Sequence, residues 1–270
     1  SKILSVLASS EEAKELAKRI RQGNIKHVKA DGLSGSSAAL LLASMMNGRG
    51  HCPSMLVVMN DLDDAGYVYH DLTQMIGEQQ VLFYPSSYKR AIKYNQKDAG
   101  NEILRTEVLT RVAEAQDLIV VTYPDALAGR VVSKKALDEN TLTIKVGDLF
   151  DITQLEKHIF ELGFQRVDYV YEPGQFAVRG SIVDVYSFSS DMPYRIDFFG
   201  DEVDSIRSFD VQSQLSQGKV EQMTVVPAMK TDGTEYISFL EFLPKDTLMV
   251  TQSIAYVCDK IAQIHDEGRS

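Results

Sequence analysis

The stretch EPGQFAVRGSIVDVYSFSSDMPYRIDFFGDEVDSIRSFD, residues 172–210, gives the clearest prediction of fold for the middle of this 270-residue chain. Short apolar runs follow one another here without a helical pattern between them, and polar turns separate the runs. Pro173 and Gly174 occupy the second and third positions of a four-residue turn, which suits a type II turn. We therefore expect an antiparallel meander with strands at Arg166–Tyr171, Phe176–Tyr186, Tyr194–Phe199 and Val203–Phe209.

The residues just before the meander favour a helix, which makes the middle region an α+β domain. Leu142–Val146 has the apolar pattern of a strand, and Ile152–Leu162 has apolar residues at helical spacing. Gly163 follows as a C-cap, a position that glycine commonly takes at the end of a helix.

The flanks of the chain follow another pattern, in which continuous apolar strands alternate with helices. This alternation predicts an α/β domain with a parallel sheet covered on both faces. The expected strands of the first part are Ile25–Ala30, Met55–Met59, Gln80–Tyr84 and Leu118–Tyr123, and its helices are Glu11–Gln22, Ala38–Met46, Leu62–Ile76 and Glu102–Ala115. The expected elements of the last part are strands Glu221–Val226 and Thr247–Thr251 and helices Tyr236–Phe242 and Ile254–His265. Because this last part is short for a separate core, we expect it to complete the first domain, with the meander domain as an insertion.

The composition argues against several classes of protein. The formal net charge is −10, which disfavours general affinity for the phosphates of nucleic acid. No apolar run approaches the roughly 20 residues that span a bilayer, so we expect no membrane contact. Cys52 and Cys258 lie far apart without a signal peptide, which predicts reduced thiols in a cytoplasmic protein. None of the scattered histidines pairs with Cys, Asp or Glu at zinc-ligand spacing, so we expect no metal and no cofactor.

The turn DGLSGSS, residues 31–37, has the setting of a phosphate-binding loop without its chemistry. A nucleotide-binding P-loop follows a strand, opens a helix and ends in Gly-Lys-Ser or Gly-Lys-Thr. Here Ala38 replaces the lysine and Ala39 the hydroxyl residue, which removes the positive charge beside the phosphates and a ligand of Mg²⁺. We therefore expect no catalytic residue, and a degenerate P-loop kept for packing at Gly32, Gly35, Ser36, Ser37, Ala38 and Ala39.

Residues 172–210 resemble the signature EPGEFAVRGGIVDIFP…PxRIEFFGDEIESIRxFD of bacterial transcription-repair coupling factors, and UvrB carries a less close version. The rest of the chain fits the N-terminal, UvrB-like module of that family more loosely but in the same order. The resemblance implies a UvrB-like fold in three parts. These are domain 1a with the decayed P-loop at 1–138, domain 2 that binds UvrA at 139–226, and the start of domain 1b, packing on 1a, at 227–270.

The resemblance also implies a function, the non-catalytic recruitment of UvrA that links stalled RNA polymerase to nucleotide excision repair. In that family the module is followed by a domain that binds RNA polymerase, an ATP-dependent translocase on double-stranded DNA, and a C-terminal domain that masks the UvrA-binding surface. We expect this chain to be a fragment of such a protein. Two alternatives remain: a nucleotide-dependent repair motor, which the degenerate loop disfavours, and a DNA-binding subunit, which the net charge disfavours.

The resemblance places three UvrA-contacting positions on Arg179, Arg195 and Phe199. Side chains alternate between the two faces of a strand, so Arg195 and Phe199 share one face while Ile196 and Phe198 point to the core. Two guanidinium groups beside one aromatic ring are typical of the residues that dominate protein interfaces.

Alternation alone leaves a second interpretation open for the same three residues. Each arginine could pair across strands with Asp184 or Asp197, and the phenylalanine could pack beneath a neighbouring strand. In that case the face would be a solvated structural surface and not a binding site.

Overall fold

The computed structural model describes residues 9–22, 27–33, 35–46, 52–87, 99–115, 117–228 and 235–267. The chain divides into two compact units. Unit 1 contains the described residues within 1–96, 111–130 and 238–270, and unit 2 contains those within 97–110 and 131–237.

The described residues form helices and strands that we number in chain order. The helices are α1 (Glu11–Arg21), α2 (Ser37–Met46), α3 (Leu62–Ile76), α4 (Ala99–Glu114), α5 (Pro124–Leu127), α6 (Lys134–Glu139), α7 (Ile152–Glu161), α8 (Phe239–Phe242) and α9 (Ile254–Asp266). The strands are β1 (Met55–Val58), β2 (Val81–Phe83), β3 (Ile119–Thr122), β4 (Arg130–Val132), β5 (Leu142–Lys145), β6 (Gln165–Arg166), β7 (Gln175–Arg179), β8 (Ile182–Val185), β9 (Tyr194–Phe199), β10 (Glu202–Phe209), β11 (Ser216–Val220), β12 (Gln222–Val225), β13 (Tyr236–Ser238) and β14 (Leu248–Thr251).

Unit 1 is built on a parallel sheet with strand order β14-β1-β3-β2. Every residue of β1 and β3 is buried, as expected for apolar strands covered on both faces. Asp61 caps the N-terminus of helix α3, where its carboxylate accepts a hydrogen bond from the backbone N–H of Asp64, and Gly77 caps the C-terminus. The predicted parallel α/β sheet is thereby confirmed.

Two elements predicted for the parts of the chain outside the meander are wrong. Of the strand expected at 25–30, residues 25–26 lie outside the described part, and residues 27–30 are exposed and form no strand. The helix expected at Tyr236–Phe242 begins only at Phe239, because Ser238 and Glu241 form a capping box and the preceding residues belong to β13. Strand β4 and helix α6 occupy a stretch for which we predicted no element.

Unit 2 contains a six-stranded sheet with order β11-β10-β9-β8-β7-β6, antiparallel from β7 to β11. One face of this sheet packs against α7 and against the ladder of β5 with β12. Helix α7 buries Leu155 and Ile159, one turn apart, and Gly163 follows it with a φ of +87°. The main core of unit 2 includes these two residues together with Ile144, Phe164, Phe176, Val183, Val185, Ile196, Phe198, Val203, Ile206, Met223 and Val225.

The meander of unit 2 differs from the prediction in three places. The strand expected at Phe176–Tyr186 is two strands, because the chain turns at Gly180, where φ is +61°. The strand expected at Arg166–Tyr171 is reduced to β6, which pairs with β7 in parallel. Strand β11 was not predicted. The turn at Gly174 is confirmed, with a φ of +85° and a 3.2 Å hydrogen bond from the Gln175 N–H to the Glu172 carbonyl.

Candidate protein-binding surface

The sheet of unit 2 has a second face, opposite the core, on which charged side chains gather. We call this the charged face and define it by Arg179, Asp184, Arg195, Asp197, Phe199 and Arg207. Strand β9 divides as alternation predicted, because Ile196 and Phe198 are buried in the core while Phe199 is exposed. All three predicted contact residues therefore lie on one face of one sheet.

Asp184 is the centre of the charged face, and its side chain is fully buried. It lies directly opposite Arg195 in the β8–β9 pair. The Nε and Nη2 atoms of Arg195 donate to its two carboxylate oxygens at 2.8 and 2.9 Å, and Nη2 of Arg179 donates to Oδ2 as well. A buried carboxylate needs such partners, because an unpaired charge away from water is costly.

Arg195 is held on all sides and is mostly buried, with 15% of its side chain exposed. Its Nη1 donates to the backbone carbonyl of Gln214 at 3.1 Å, and its guanidinium lies over the ring of Phe209 at 4.7 Å from the centroid. The hydrogen bonds to Asp184 raise its pKa above the ordinary value for arginine. The guanidinium therefore stays charged and keeps one orientation.

Arg179 is more accessible, with 34% of its side chain exposed. Its Nη1 donates to the backbone carbonyl of Asp168 at 2.8 Å, and its guanidinium lies 5.0 Å from the ring centroid of Tyr169. These contacts hold the segment after β6 against the edge of the charged face. Arg179 thus presents a fixed cation at the surface with part of its donor set still open to solvent.

A second ion pair extends the charged face towards β10. Arg207 donates through Nη2 to Oδ2 of Asp197, and the hydroxyl of Ser205 donates to the same oxygen at 3.2 Å. Both charged side chains are partly exposed. Arg207 lies opposite Arg195 in the β9–β10 pair, so guanidinium groups follow one another across the sheet and carboxylates lie beside them.

Phe199 stands at the end of β9 with 82% of its surface exposed. The next residue, Gly200, has a φ of +63° and starts the turn into β10. The interpretation that Phe199 packs beneath a neighbouring strand is therefore wrong, whereas the arginines do pair with Asp184 as that interpretation allowed. Sequence reasoning named Asp184 only as one of two alternative partners, and it did not identify Tyr169 and Arg207 as neighbours.

The degenerate P-loop stays a prediction, and each of the six residues assigned to it lies in the described part of the chain. Gly32 and Gly35 have positive φ, and α2 begins directly after Ser36. The Ser36 hydroxyl donates to Oδ2 of Asp71 at 2.6 Å, and Ala39 is buried. A carboxylate against this serine opposes an anion at the same point.

Among the described residues, no three or more His, Cys, Asp or Glu side chains form a group that could hold a metal ion. Within the same ranges, no helix is long and apolar enough to cross a membrane.

Comparison with known proteins places similarity over the part of the chain that contains this surface. Residues 142–230 match the family model of the UvrB interaction domain. The chain is also similar to proteins named transcription-repair-coupling factor. It is 29% identical to that of Bacillus subtilis (strain 168) over 226 residues, 84% of this chain and 19% of the relative. It is 27% identical to that of Escherichia coli (strain K12) over 198 residues, 73% of this chain and 17% of the relative.

A third relative, the transcription-repair-coupling factor of Haemophilus influenzae (strain ATCC 51907 / DSM 11121 / KW20 / Rd), is 31% identical over 155 residues, 57% of this chain and 13% of the relative. The chain thus spans about a fifth or less of the length of these relatives. The resemblance inferred from residues 172–210 is confirmed.

Proposed function

We propose that this chain recruits the excision-repair protein UvrA by docking its charged face on it, without catalysing a reaction itself. The match to the UvrB interaction domain covers residues 142–230, so every residue of the charged face lies within it. The name of the relatives, transcription-repair-coupling factor, supports a role in transcription-coupled repair. In a cytoplasmic protein of that kind, recruitment of UvrA would link stalled RNA polymerase to nucleotide excision repair.

The observation that carries the proposal is the exposure of Phe199, which is 82%. Burying a phenylalanine side chain is worth about 1.5–3 kcal/mol relative to leaving it in water. On this chain Phe199 does not gain that energy, so a partner with an apolar recess would supply it. Aromatic anchors beside arginines are the residues that dominate measured binding energies at protein interfaces.

The three residues have different roles in the proposal. Phe199 is the anchor that enters UvrA, and Arg179 contacts UvrA with the exposed part of its guanidinium. Arg195 is a positioning residue, because its donors are engaged by Asp184 and the Gln214 carbonyl and little of it is exposed. Through Asp184 it fixes the orientation of Arg179.

The charged face is pre-organised, and this determines how its binding depends on salt. Asp184 and Asp197 already pair with the three guanidinium groups, so docking adds directed hydrogen bonds more than net charge. The long side chains of this face are already ordered in the free chain, so binding loses little of their conformational entropy. Affinity for UvrA should therefore fall only modestly as salt rises, unlike phosphate-driven binding to DNA.

The test is a calorimetric titration of this chain into purified UvrA, with Phe199→Ala and Phe160→Ala alongside. Phe160 is a matched control, because it is also an exposed phenylalanine of unit 2 but lies on α7, which packs on the opposite face of the sheet. We expect Phe199→Ala to weaken binding by about 2 kcal/mol or more. Phe160→Ala should bind like the wild type.

The outcomes separate the parts of the proposal. If the wild type does not bind UvrA, recruitment is refuted. If both alanine variants bind UvrA as tightly as the wild type does, UvrA is the partner but the charged face is not the binding surface. The non-catalytic part has its own assay, the release of phosphate from ATP with and without DNA, in which turnover above background would overturn it.

The similarity to much longer relatives suggests further partners. We propose that RNA polymerase and double-stranded DNA bind parts of a longer protein, where an ATP-dependent translocase would act on the DNA. A C-terminal domain of that protein would mask the charged face until polymerase is engaged. A titration of UvrA into the longer protein would then give weaker binding than into this chain.

A further inference from the structure

Leu149 is another large apolar residue of unit 2 that is exposed to water, with 74% of its surface accessible. It lies between β5 and α7, directly beside the start of β10. Its neighbour Phe150 packs against the main core, so the two consecutive side chains point to opposite faces of the sheet. Leu149 therefore points to the side that carries the charged face.

Backbone hydrogen bonds fix the position of Leu149. The N–H of Phe150 donates to the Asp201 carbonyl at 2.8 Å, and the N–H of Val203 donates to the Asp148 carbonyl at 2.9 Å. These two bonds bracket Leu149 and Glu202, which form an isolated antiparallel bridge. Directly opposed residues of an antiparallel pair have side chains on the same face and close together.

The register continues from Glu202 to the anchor residue. Glu202 is opposite Phe199 in the β9–β10 pair, so Phe199, Glu202 and Leu149 form one row across three adjacent segments. Neighbouring strands lie about 4.8 Å apart, which separates the two apolar side chains by roughly 10 Å. Both are held by ladder hydrogen bonds, and the exposed carboxylate of Glu202 lies between them.

We propose that Leu149 and Phe199 form a two-point apolar contact with UvrA, with Glu202 between them. The inference rests on the proposed function and extends its surface by one residue. The UvrA surface that fits would have two apolar recesses about 10 Å apart and a hydrogen-bond donor or a cation between them. Two separated contacts also define the orientation of docking, which a single anchor leaves free to rotate.

The test is the calorimetric titration of UvrA with Leu149→Ser, Leu149→Met, Phe199→Ala and the control Phe160→Ser. We expect Leu149→Ser to weaken binding about tenfold, the effect of removing one buried aliphatic side chain from an interface. Leu149→Met keeps an apolar side chain of similar volume and should bind within about twofold of the wild type. The exposed position predicts that all variants unfold at the wild-type temperature.

Three outcomes are decisive. A tenfold loss for Leu149→Ser, with binding kept by Leu149→Met and Phe160→Ser, supports the two-point contact. If Phe199→Ala weakens binding but Leu149→Ser does not, the inference is overturned while recruitment of UvrA stands. If the wild type does not bind UvrA, both fail, and sedimentation of the free chain then shows whether Leu149 instead mediates self-association.

Discussion

The two faces of the six-stranded sheet in unit 2 come from the same strands but are held together in different ways. On one face, Ile196 and its neighbours are buried by α7 and by the β5–β12 ladder. On the other face, Asp184 is just as buried, but it is surrounded by two guanidinium groups. Arg195 and Ile196 are neighbours in β9, yet Arg195 belongs to the ionic cluster and Ile196 to the apolar core.

The two faces contribute to unit 2 in different ways. Apolar burial is non-directional and stabilises the fold in proportion to the area removed from water. A buried ion pair adds little net stability, because the desolvation of its charges offsets their attraction. The cluster around Asp184 is therefore better explained by the orientation that it imposes on Arg179 than by stability. The apolar face stabilises the fold of unit 2, and the charged face holds the side chain of Arg179 in a fixed orientation.

The largest expected effect comes from Asp184→Ala, which would break the charged face from its centre. Removing one partner of a buried ion pair typically costs about 3–5 kcal/mol, and the lower end applies because both arginines reach solvent. Urea unfolding should show a loss of about 3 kcal/mol, with Asp184→Asn intermediate because it keeps an acceptor. A loss below about 0.5 kcal/mol would mean that the cluster contributes nothing to the folded state.

A smaller effect separates the two arginines, for which we expect opposite rankings of stability and binding. Arg195→Ala removes two bonds to Asp184 and one to the Gln214 carbonyl, and should destabilise unit 2 by about 2 kcal/mol. Arg179→Ala leaves the two bonds from Arg195 in place and should cost about 1 kcal/mol. Because Arg179 is the more exposed, its variant should lose more affinity for UvrA than Arg195→Ala does. Unfolding and titration of both variants check this, and identical rankings in the two measurements would contradict the assigned roles.

The sequence predicts the faces of the sheet but not the register between its strands. Alternation is local, so the outward position of Arg195 and Phe199 and the inward position of Ile196 follow from β9 alone. The pairing of Arg195 with Asp184 depends on where β8 begins, and the turn at Gly180 that sets this start was not predicted. Cross-strand contacts follow from turn position, which the pattern of β9 does not contain.

Other parts escaped prediction because they have no apolar pattern. Strand β11 has the sequence SQGKV and is almost entirely exposed, so nothing in its composition distinguishes it from a loop. Leu149 is held by an isolated bridge, which leaves no periodic signal. The assignment of Arg179, Arg195 and Phe199 as contact positions stays a prediction and comes only from the resemblance of residues 172–210, because the alternation of the strands alone also allowed a structural surface.

A substitution on the core face should alter the stability of unit 2 but not its binding to UvrA. Ile196→Val removes one methylene from a fully buried side chain and should destabilise the unit by about 1 kcal/mol. Its affinity for UvrA, measured below the unfolding transition, should equal that of the wild type, since Ile196 points away from the charged face. A loss of affinity would show that the two faces are not independent.

The smallest effect concerns Tyr186, which packs at the end of the sheet where Phe209 and Ala177 form a minor apolar cluster. Its hydroxyl donates to the backbone carbonyl of Asp191 at 2.6 Å. Burial, and then the charge of Asp191, raise the pKa of this phenol above its ordinary value of 10.0. The folded state therefore holds the phenolic proton more tightly than the unfolded state does.

The sign of the resulting pH dependence follows from linkage. Below about pH 10 both states keep the proton and stability is unaffected, whereas between the unfolded and folded pKa only the folded state keeps it, so stability falls as pH rises. Tyr186→Phe should cost about 0.5 kcal/mol or less at neutral pH, because the lost hydrogen bond is partly exposed. The difference in unfolding temperature between wild type and variant should shrink as the pH rises above 10. If the difference in unfolding temperature stays constant up to pH 11, the phenol of Tyr186 has the same pKa in the folded and unfolded states, which contradicts the prediction.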